Sequence, residues 1–153
     1  MKVAVGSDHA GFVLKQRVKA ELERLGHQVQ DLGTSSADTS VDYPDYAIPV
    51  AEAVAEGRAD RGVVLCATGI GASIAANKVD GVRASVVTSD ETARLTRTDN
   101  DSNVLALGGR TVPSADAALG WLRTWLDTPF AGGRHERRVG KITAYEAQHH
   151  VKT

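Results

Sequence analysis

The feature that most limits what this chain can fold into is a rhythm. Short runs rich in β-branched residues recur at Val3–Val5, Val29–Leu32, Val63–Leu65, Val82–Val87 and Val104–Leu107, with stretches of helical character between them. Leu14, Val18, Leu22 and Leu25 fall three or four residues apart, which places them on one helix face, and Gly26 supplies a stop. Pro44 and the run from Ala47 to Ala55 predict a second helix, whose start Pro49 restricts. Asp90 reads as the N-cap of a third, and Ser114 as the N-cap of a fourth containing Leu119, Leu122 and Leu126. Gly132-Gly133 then sets off a charged final segment, helical from Glu136 to His149, and the polar stretch Thr34 to Asp42 reads as a mobile surface loop. Strands alternating with helices argue for a parallel sheet covered on both faces. The expectation is one three-layer α/β domain over residues 1–153, with a mainly parallel five-stranded sheet.

Composition narrows the class of partner. A hydrophobic share of 42% and a charged share of 24% are ordinary for a globular domain, and the formal net charge of −1 gives no electrostatic reason to expect nucleic acid or a membrane. The single cysteine cannot form an internal disulfide, and no cysteines and histidines have zinc-site spacing. The apolar run in MKVAVGSDHAG is too short for a signal peptide, and none approaches the roughly 18 residues of a membrane span. A cytoplasmic protein is expected.

In open sheets of this kind ligands collect outside the carboxyl ends of the strands. That rule draws attention to Ser7-Asp8-His9 after the first strand, Cys66 to Gly71 after the third, and the turn from Thr88 after the fourth. The loop Cys66-Ala67-Thr68-Gly69-Ile70-Gly71 lacks both the GxxxxGK[ST] spacing and a complete GxGxxG fingerprint, which speaks against a nucleotide. Its glycines allow close backbone approach, and N–H groups at a following helix start can face an anion; a plain tight turn is the other reading. Cys66 is either a small buried hydrophobe or a thiol placed where ligands bind. Asp8 is either a helix cap or a site residue, and His9 can donate to a phosphate or move protons near neutral pH. Arg134, Arg137 and Arg138, clustered with His135, are either a solvated helix face or a holder for a compact dianion.

Taken together these residues resemble one family. GSDHAG at Gly6–Gly11, DYPDYA at Asp42–Ala47, CATGIGASIAANK at Cys66–Lys78, NVLALGGR at Asn103–Arg110 and GGRHERR at Gly132–Arg138 are similar to the B-type ribose-5-phosphate isomerases, a family that includes galactose-6-phosphate isomerase subunits. The resemblance implies a Rossmann-like sandwich, a homodimer or dimer of dimers with shared active sites, and no metal or organic cofactor. It implies interconversion of aldose and ketose sugar phosphates through a cis-enediol or enediolate. Cys66 is then the general base between C1 and C2, Thr68 assists at the sugar oxygens, and the amides near Gly69, Gly71 and Ala72 stabilise the negative oxygen. Asp8 contacts substrate hydroxyls, while His9, Arg134 and Arg138 bind the phosphate. Arg110 is expected from a partner subunit, and Asn100 completes the site, also across the interface.

One position departs from the pattern. The family usually reads His-Asn where this chain has Asp99-Asn100 within RTDNDSNVL, and that histidine is assigned to opening the furanose ring. Either Asp99 replaces it and ribose 5-phosphate remains the substrate, or the substrate has no ring to open, as in a tetrose 4-phosphate. A sugar-phosphate-binding module without catalysis is a rival class, which the presence of Cys66 and Thr68 argues against.

Overall fold

The computed structural model describes residues 1–149, so the expected unit of 1–153 ends in four residues that lie outside the described ones. Along the chain run β1 (Lys2–Ser7), α1 (Phe12–Arg24), β2 (Gln28–Asp31), α2 (Pro44–Ala55), β3 (Arg61–Cys66), α3 (Ile70–Ala76), β4 (Ala84–Val86), α4 (Asp90–Thr98), β5 (Val104–Gly108), α5 (Ala115–Asp127) and α6 (Arg134–His149). The strands form one sheet in the order β2-β1-β3-β5-β4, and every pairing is parallel. The Rossmann-like, three-layer expectation holds, and "mainly parallel" becomes wholly parallel.

Strand alternation divides the core by residue size. Val3, Val5, Val63, Leu65, Leu105 and Leu107 face α1 and α5, packing on Leu14, Val18, Leu22, Leu122 and Trp125. The opposite face carries Ala4, Val64, Cys66, Val104 and Ala106, against α2 and α3. Small residues there let α2 lie very close. A Cβ on Gly62 would stand 2.6 Å from Cγ1 of Val50, and one on Gly6 2.8 Å from the carbonyl oxygen of Tyr46.

The helix signals are mostly realised where the sequence places them. Gly26 adopts φ +88° and donates to the Glu23 carbonyl, closing α1. The Ser114 side chain accepts the Ala117 amide at 3.1 Å as the cap of α5. Three expectations are corrected. The cap of α4 is Ser89, not Asp90: Ser89 is extended and exchanges hydrogen bonds with Thr92 in a capping box. Asp90 lies in the first turn, where a carboxylate suits the helix dipole and here also accepts from Thr124. Helix α2 starts at Pro44 and continues through Pro49, whose missing N–H leaves a carbonyl four residues back on exposed Asp45. Helix α6 starts at Arg134 instead of Glu136 and buries none of its residues.

The fourth strand is also shorter than its apolar run, because Val82 and Val87 are buried outside the ladder. Its outer edge is closed by a side chain. The Asn77 carboxamide accepts the Ala84 amide at 2.7 Å and donates to the Ala84 carbonyl at 2.9 Å.

A buried cation fixes the opposite edge. Lys15, on α1, is 1% exposed, and its Nζ donates to Asp31 Oδ1 at 2.6 Å and to the Thr34 carbonyl at 2.7 Å. Asp31 also accepts the Gly33 amide, and the Gly33 and Thr34 backbone pairs with Ser7 at 2.8 Å on both bonds. Burial alone raises the Asp31 carboxyl, but the bonds from Lys15 and Gly33 outweigh it and hold the group below its ordinary range. Removing Asp31 strands a buried ammonium, so Asp31→Ala should lower stability by about 3 kcal/mol in urea unfolding, with Lys15→Met costing clearly less. Because the folded carboxyl lies below its unfolded value, its contribution is complete above the ordinary carboxylate range. It fades as pH falls through the depressed value, and Asp31→Asn should flatten that acid limb of the stability curve.

Candidate active site

The carboxyl end of β3 brings a thiol, a hydroxyl and free amides into one loop. Cys66 is the last residue of the strand and is buried; its Sγ accepts the Gly69 amide at 3.2 Å. Gly69 holds φ +79°, and a Cβ there would come within 2.9 Å of the Leu107 backbone. The Thr68 hydroxyl is on the exposed side of the loop and accepts the Ile70 amide at 3.1 Å. Beyond these, the Gly71 and Ala72 amides lie in the first turn of α3, where no intrahelical carbonyl is available. Of the three amides expected to face an oxyanion, that of Gly69 is therefore turned to the sulfur, and those of Gly71 and Ala72 are open. The Tyr43 ring lies against this turn, since a Cβ on Gly71 would be 2.7 Å from Tyr43 Cζ. In the sequence Tyr43 stands out only as part of DYPDYA; nothing local to it signals that it covers a glycine 28 residues on.

Asp8 and His9 stand beside this loop. The β1 end is tied to β3 by the Asp8 amide, which donates to the Leu65 carbonyl at 3.2 Å. One Asp8 carboxylate oxygen accepts the Gly11 amide at 3.0 Å and closes the turn before α1; the cap of the helix is Gly11, so the reading of Asp8 as the helix cap is corrected. The Nδ1 of His9 accepts the Val41 amide at 3.1 Å. That bond keeps the Nδ1 lone pair engaged and puts the proton of the neutral ring on Nε2, which is the donor a phosphate oxygen needs. At the turn from Thr88, the backbone amide is committed to the Thr92 hydroxyl at the start of α4.

Arg110 belongs to this same cluster. The amides of Gly109 and Arg110 donate to the carbonyls of Cys66 and Ala67, at 2.8 and 2.9 Å. Arg110 therefore sits beside the Cys66 loop of its own chain, and the expectation that it comes from a partner is corrected.

The remaining site residues lie elsewhere. Parallel strands force each connecting helix to run back, so α4 ends at the amino edge of the sheet, just before β5 begins. Asp99 caps that end and Asn100 follows, its carbonyl accepting from Arg83 at 2.9 Å. Arg97, nearly buried, holds the segment by donating to Asp101 Oδ1 and the Ser102 carbonyl at 2.8 and 2.7 Å. The Arg61 guanidinium, stacked 5.0 Å from Trp125, is held below its ordinary value first by burial and then by the neighbouring charge of Arg97. The start of α6 joins this group: the Ala131 amide donates to the Thr98 carbonyl, and His135 Nε2 lies 3.5 Å from Asp99 Oδ1. Arg134 and Arg138, one turn apart on α6, are exposed next to it. The two groups are separated by at least the rise of β5 from Val104 to Gly108, about 13 Å. One chain thus does not bring Cys66 to Asp99 and Asn100, nor His9 to Arg134 and Arg138. The expectation of His9 and both arginines in one pocket is not met within a single copy. Among the described residues no cluster of three His, Cys, Asp or Glu side chains is placed to hold a metal ion, and no helix is long and apolar enough to cross a membrane.

Comparison with known proteins agrees with this geometry. Residues 3–142 match the family model described as Ribose/Galactose Isomerase. Ribose-5-phosphate isomerase B of Escherichia coli (strain K12) is 48% identical over 145 residues, covering 95% of this chain and 96% of the relative. The structure of ribose-5-phosphate isomerase B from Clostridium thermocellum superposes with a TM-score of 0.94 at 51% identity, covering 98% of this chain and all of that one. The Mycoplasma genitalium enzyme, solved with bound ribulose-5-phosphate, gives a TM-score of 0.92 at 39% identity over 96% of this chain and 97% of that one. With the thiol loop, the Asp8-His9 pair and the arginine-bearing helix all in place on a matching fold, the chain belongs to the ribose/galactose isomerase family and is an aldose–ketose isomerase.

Proposed function

We propose that the enzyme interconverts ribose 5-phosphate and ribulose 5-phosphate through a cis-enediol or enediolate, in sites built from two copies of the chain. The observation that carries this reading is the Cys66 loop: a sulfur oriented by the Gly69 amide, with the unpaired Gly71 and Ala72 amides just beyond it. The names of the E. coli and C. thermocellum relatives, and the ligand of the M. genitalium one, support the substrate.

In this scheme the Cys66 thiolate removes the proton from C2 of the open-chain aldose. Charge moves onto O1, where the Gly71 and Ala72 amides donate to it; losing one such preorganised donor typically costs about 3 kcal/mol of barrier. The Thr68 hydroxyl passes a proton from O2 to O1, and Cys66 returns its proton to C1, leaving the ketose. Asp8 accepts from substrate hydroxyls. His9, through Nε2–H, and Arg110 bind the phosphate from one copy; Arg134 and Arg138 reach it from the other, which also brings Asp99 and Asn100 to the sugar. A twofold axis that sets the carboxyl edge of one copy against the amino edge of the other completes two such sites at once. The reading is therefore a homodimer or a dimer of dimers.

Asp99 favours a second reading, a tetrose 4-phosphate as substrate, since a carboxylate stands where the resembling family has its ring-opening histidine; allose 6-phosphate, which does close a ring, is the other substrate alternative. Measured kcat/KM values for ribose 5-phosphate, allose 6-phosphate and erythrose 4-phosphate decide between them. Ribose 5-phosphate should be preferred, and a clear preference for the tetrose overturns the pentose reading. Cys66→Ala should reduce turnover at least about a hundredfold, the scale of lost general-base catalysis, while calorimetry still detects ribulose 5-phosphate binding. Undiminished turnover removes Cys66 from the mechanism. Co-refolding the inactive Cys66→Ala and Arg138→Ala chains should recover about a quarter of wild-type activity, since half of randomly paired dimers carry one intact site of two. No recovery would mean that each chain builds its own site.

A further inference from the structure

Ribose 5-phosphate spends its time as a five-membered ring, and the chemistry at C1 and C2 requires the open chain. Opening breaks the bond between C1 and the ring oxygen. The ring oxygen gains a proton, the hydroxyl on C1 loses one, and a carbonyl forms at C1. The Cys66 loop is occupied with C1 and C2, so these two proton transfers need other groups. The amino-edge cluster contains a carboxylate and an imidazole side by side, Asp99 and His135, whereas its other carboxylate, Asp101, is bound to Arg97.

We infer that Asp99 and His135 form the ring-opening pair of this enzyme, with the His135 imidazole as the acid and the Asp99 carboxylate as its orienting partner and as the base. The inference rests on the ribose 5-phosphate reading above. Nε2 of His135 lies 3.5 Å from Oδ1 of Asp99, and that same oxygen accepts the Thr98 hydroxyl at 2.8 Å, which fixes the carboxylate. The imidazole is turned inward, 13% exposed, while Arg134, Glu136, Arg137 and Arg138 around it are all exposed. Backbone bonds hold the contact from both sides. The Ala131 amide ties the turn to the Thr98 carbonyl, and the His135 amide closes the first turn onto Gly132.

Position along the sugar supports the assignment. The ring oxygen is carried by C4, one carbon from C5 and its phosphate. A group that reaches this oxygen should therefore adjoin the phosphate ligands, and His135 directly follows Arg134 and precedes Arg138 by one turn. With Nε2–H toward Asp99, Nδ1 is the nitrogen left for substrate. In the forward step the imidazolium gives its Nδ1 proton to the ring oxygen as the bond to C1 breaks, and the proton of the C1 hydroxyl passes to Asp99. Carboxylic acid and neutral imidazole then return through solvent to carboxylate and imidazolium. Only protons have moved, and no further reactant is required.

The test compares ring-dependent with ring-independent turnover. Ribulose 5-phosphate cannot close a five-membered ring because O5 carries the phosphate, so exchange of its C1 hydrogen with deuterated water reports the Cys66 step alone. In His135→Gln, kcat/KM for ribose 5-phosphate should fall by about a hundredfold, the scale of lost acid catalysis, with C1 exchange nearly unchanged. Asp99→Asn should show the same split, and imidazole added to His135→Gly should restore part of the isomerisation. Adding Asp99→His to His135→Gln, which puts an imidazole back at the other member of the pair, should also recover activity. Equal loss of isomerisation and exchange in both single variants, or isomerisation that survives in both, overturns the pair. The underlying reading fails differently: a wild-type protein inert toward ribose 5-phosphate, or C1 exchange undiminished in Cys66→Ala, removes it and this pair with it.

Discussion

Every strand of this sheet runs in the same direction, and much of the molecule's chemistry follows from that constraint. A parallel strand ends where the next helix must begin, and the helix has to carry the chain back before another strand can pair. Whatever terminates a strand is delivered to one edge, and whatever terminates a helix to the other. Cys66, Asp8 and His9 end strands, while Asp99 and Asn100 follow the end of a helix. The chain therefore carries two sets of reactive groups at opposite edges, and the proposed two-copy site is the arrangement that brings them together.

Around the strand-end set, rigidity comes from a segment without regular structure of its own. Residues between β2 and α2 are held at their start by Lys15, through Asp31 and the Thr34 carbonyl, and near their end by the bond between Val41 and His9. The first contact continues the β1 ladder through Gly33 and Thr34 just before Asp8. The second selects the His9 tautomer. Tyr43, two residues further, closes over Gly71. A stretch that reads as a mobile polar loop is thus pinned by a buried ammonium and an imidazole, and it positions three members of the site.

How far these features are legible in the sequence depends on the range of the interaction that decides each one. The strands, the stop at Gly26 and the cap at Ser114 depend on neighbours within a few residues, and the pattern carries them. The order Ser89-Asp90 offers two good caps in succession; only the extended backbone and the Thr92 hydroxyl decide for Ser89. The fourth strand looks longer than it is because Val82 and Val87, which flank it, are buried without belonging to it. In the site, the loop motif identifies Cys66 and Thr68, but not that the Gly69 amide is already bound to the sulfur. Arg110 was expected from a partner on the family resemblance alone; that its backbone lies beside the Cys66 loop depends on β5 pairing with β3, which no local motif shows. His135 and Asp99 are 36 residues apart by number, and their contact depends on how α6 leaves the end of α5.

The Asn77 carboxamide has a consequence for how copies of this chain can associate. By supplying both an acceptor and a donor to Ala84, it occupies backbone groups that an incoming strand would use. The β4 edge is thereby blocked at Ala84 against sheet extension across a boundary between molecules. Copies meeting there must do so through side chains and helices, whose contacts tolerate small rotations that a continuous hydrogen-bonded ladder would forbid. The proposed site, divided between two molecules, would then retain some freedom to tighten around its sugar, because no shared sheet locks its halves into one register.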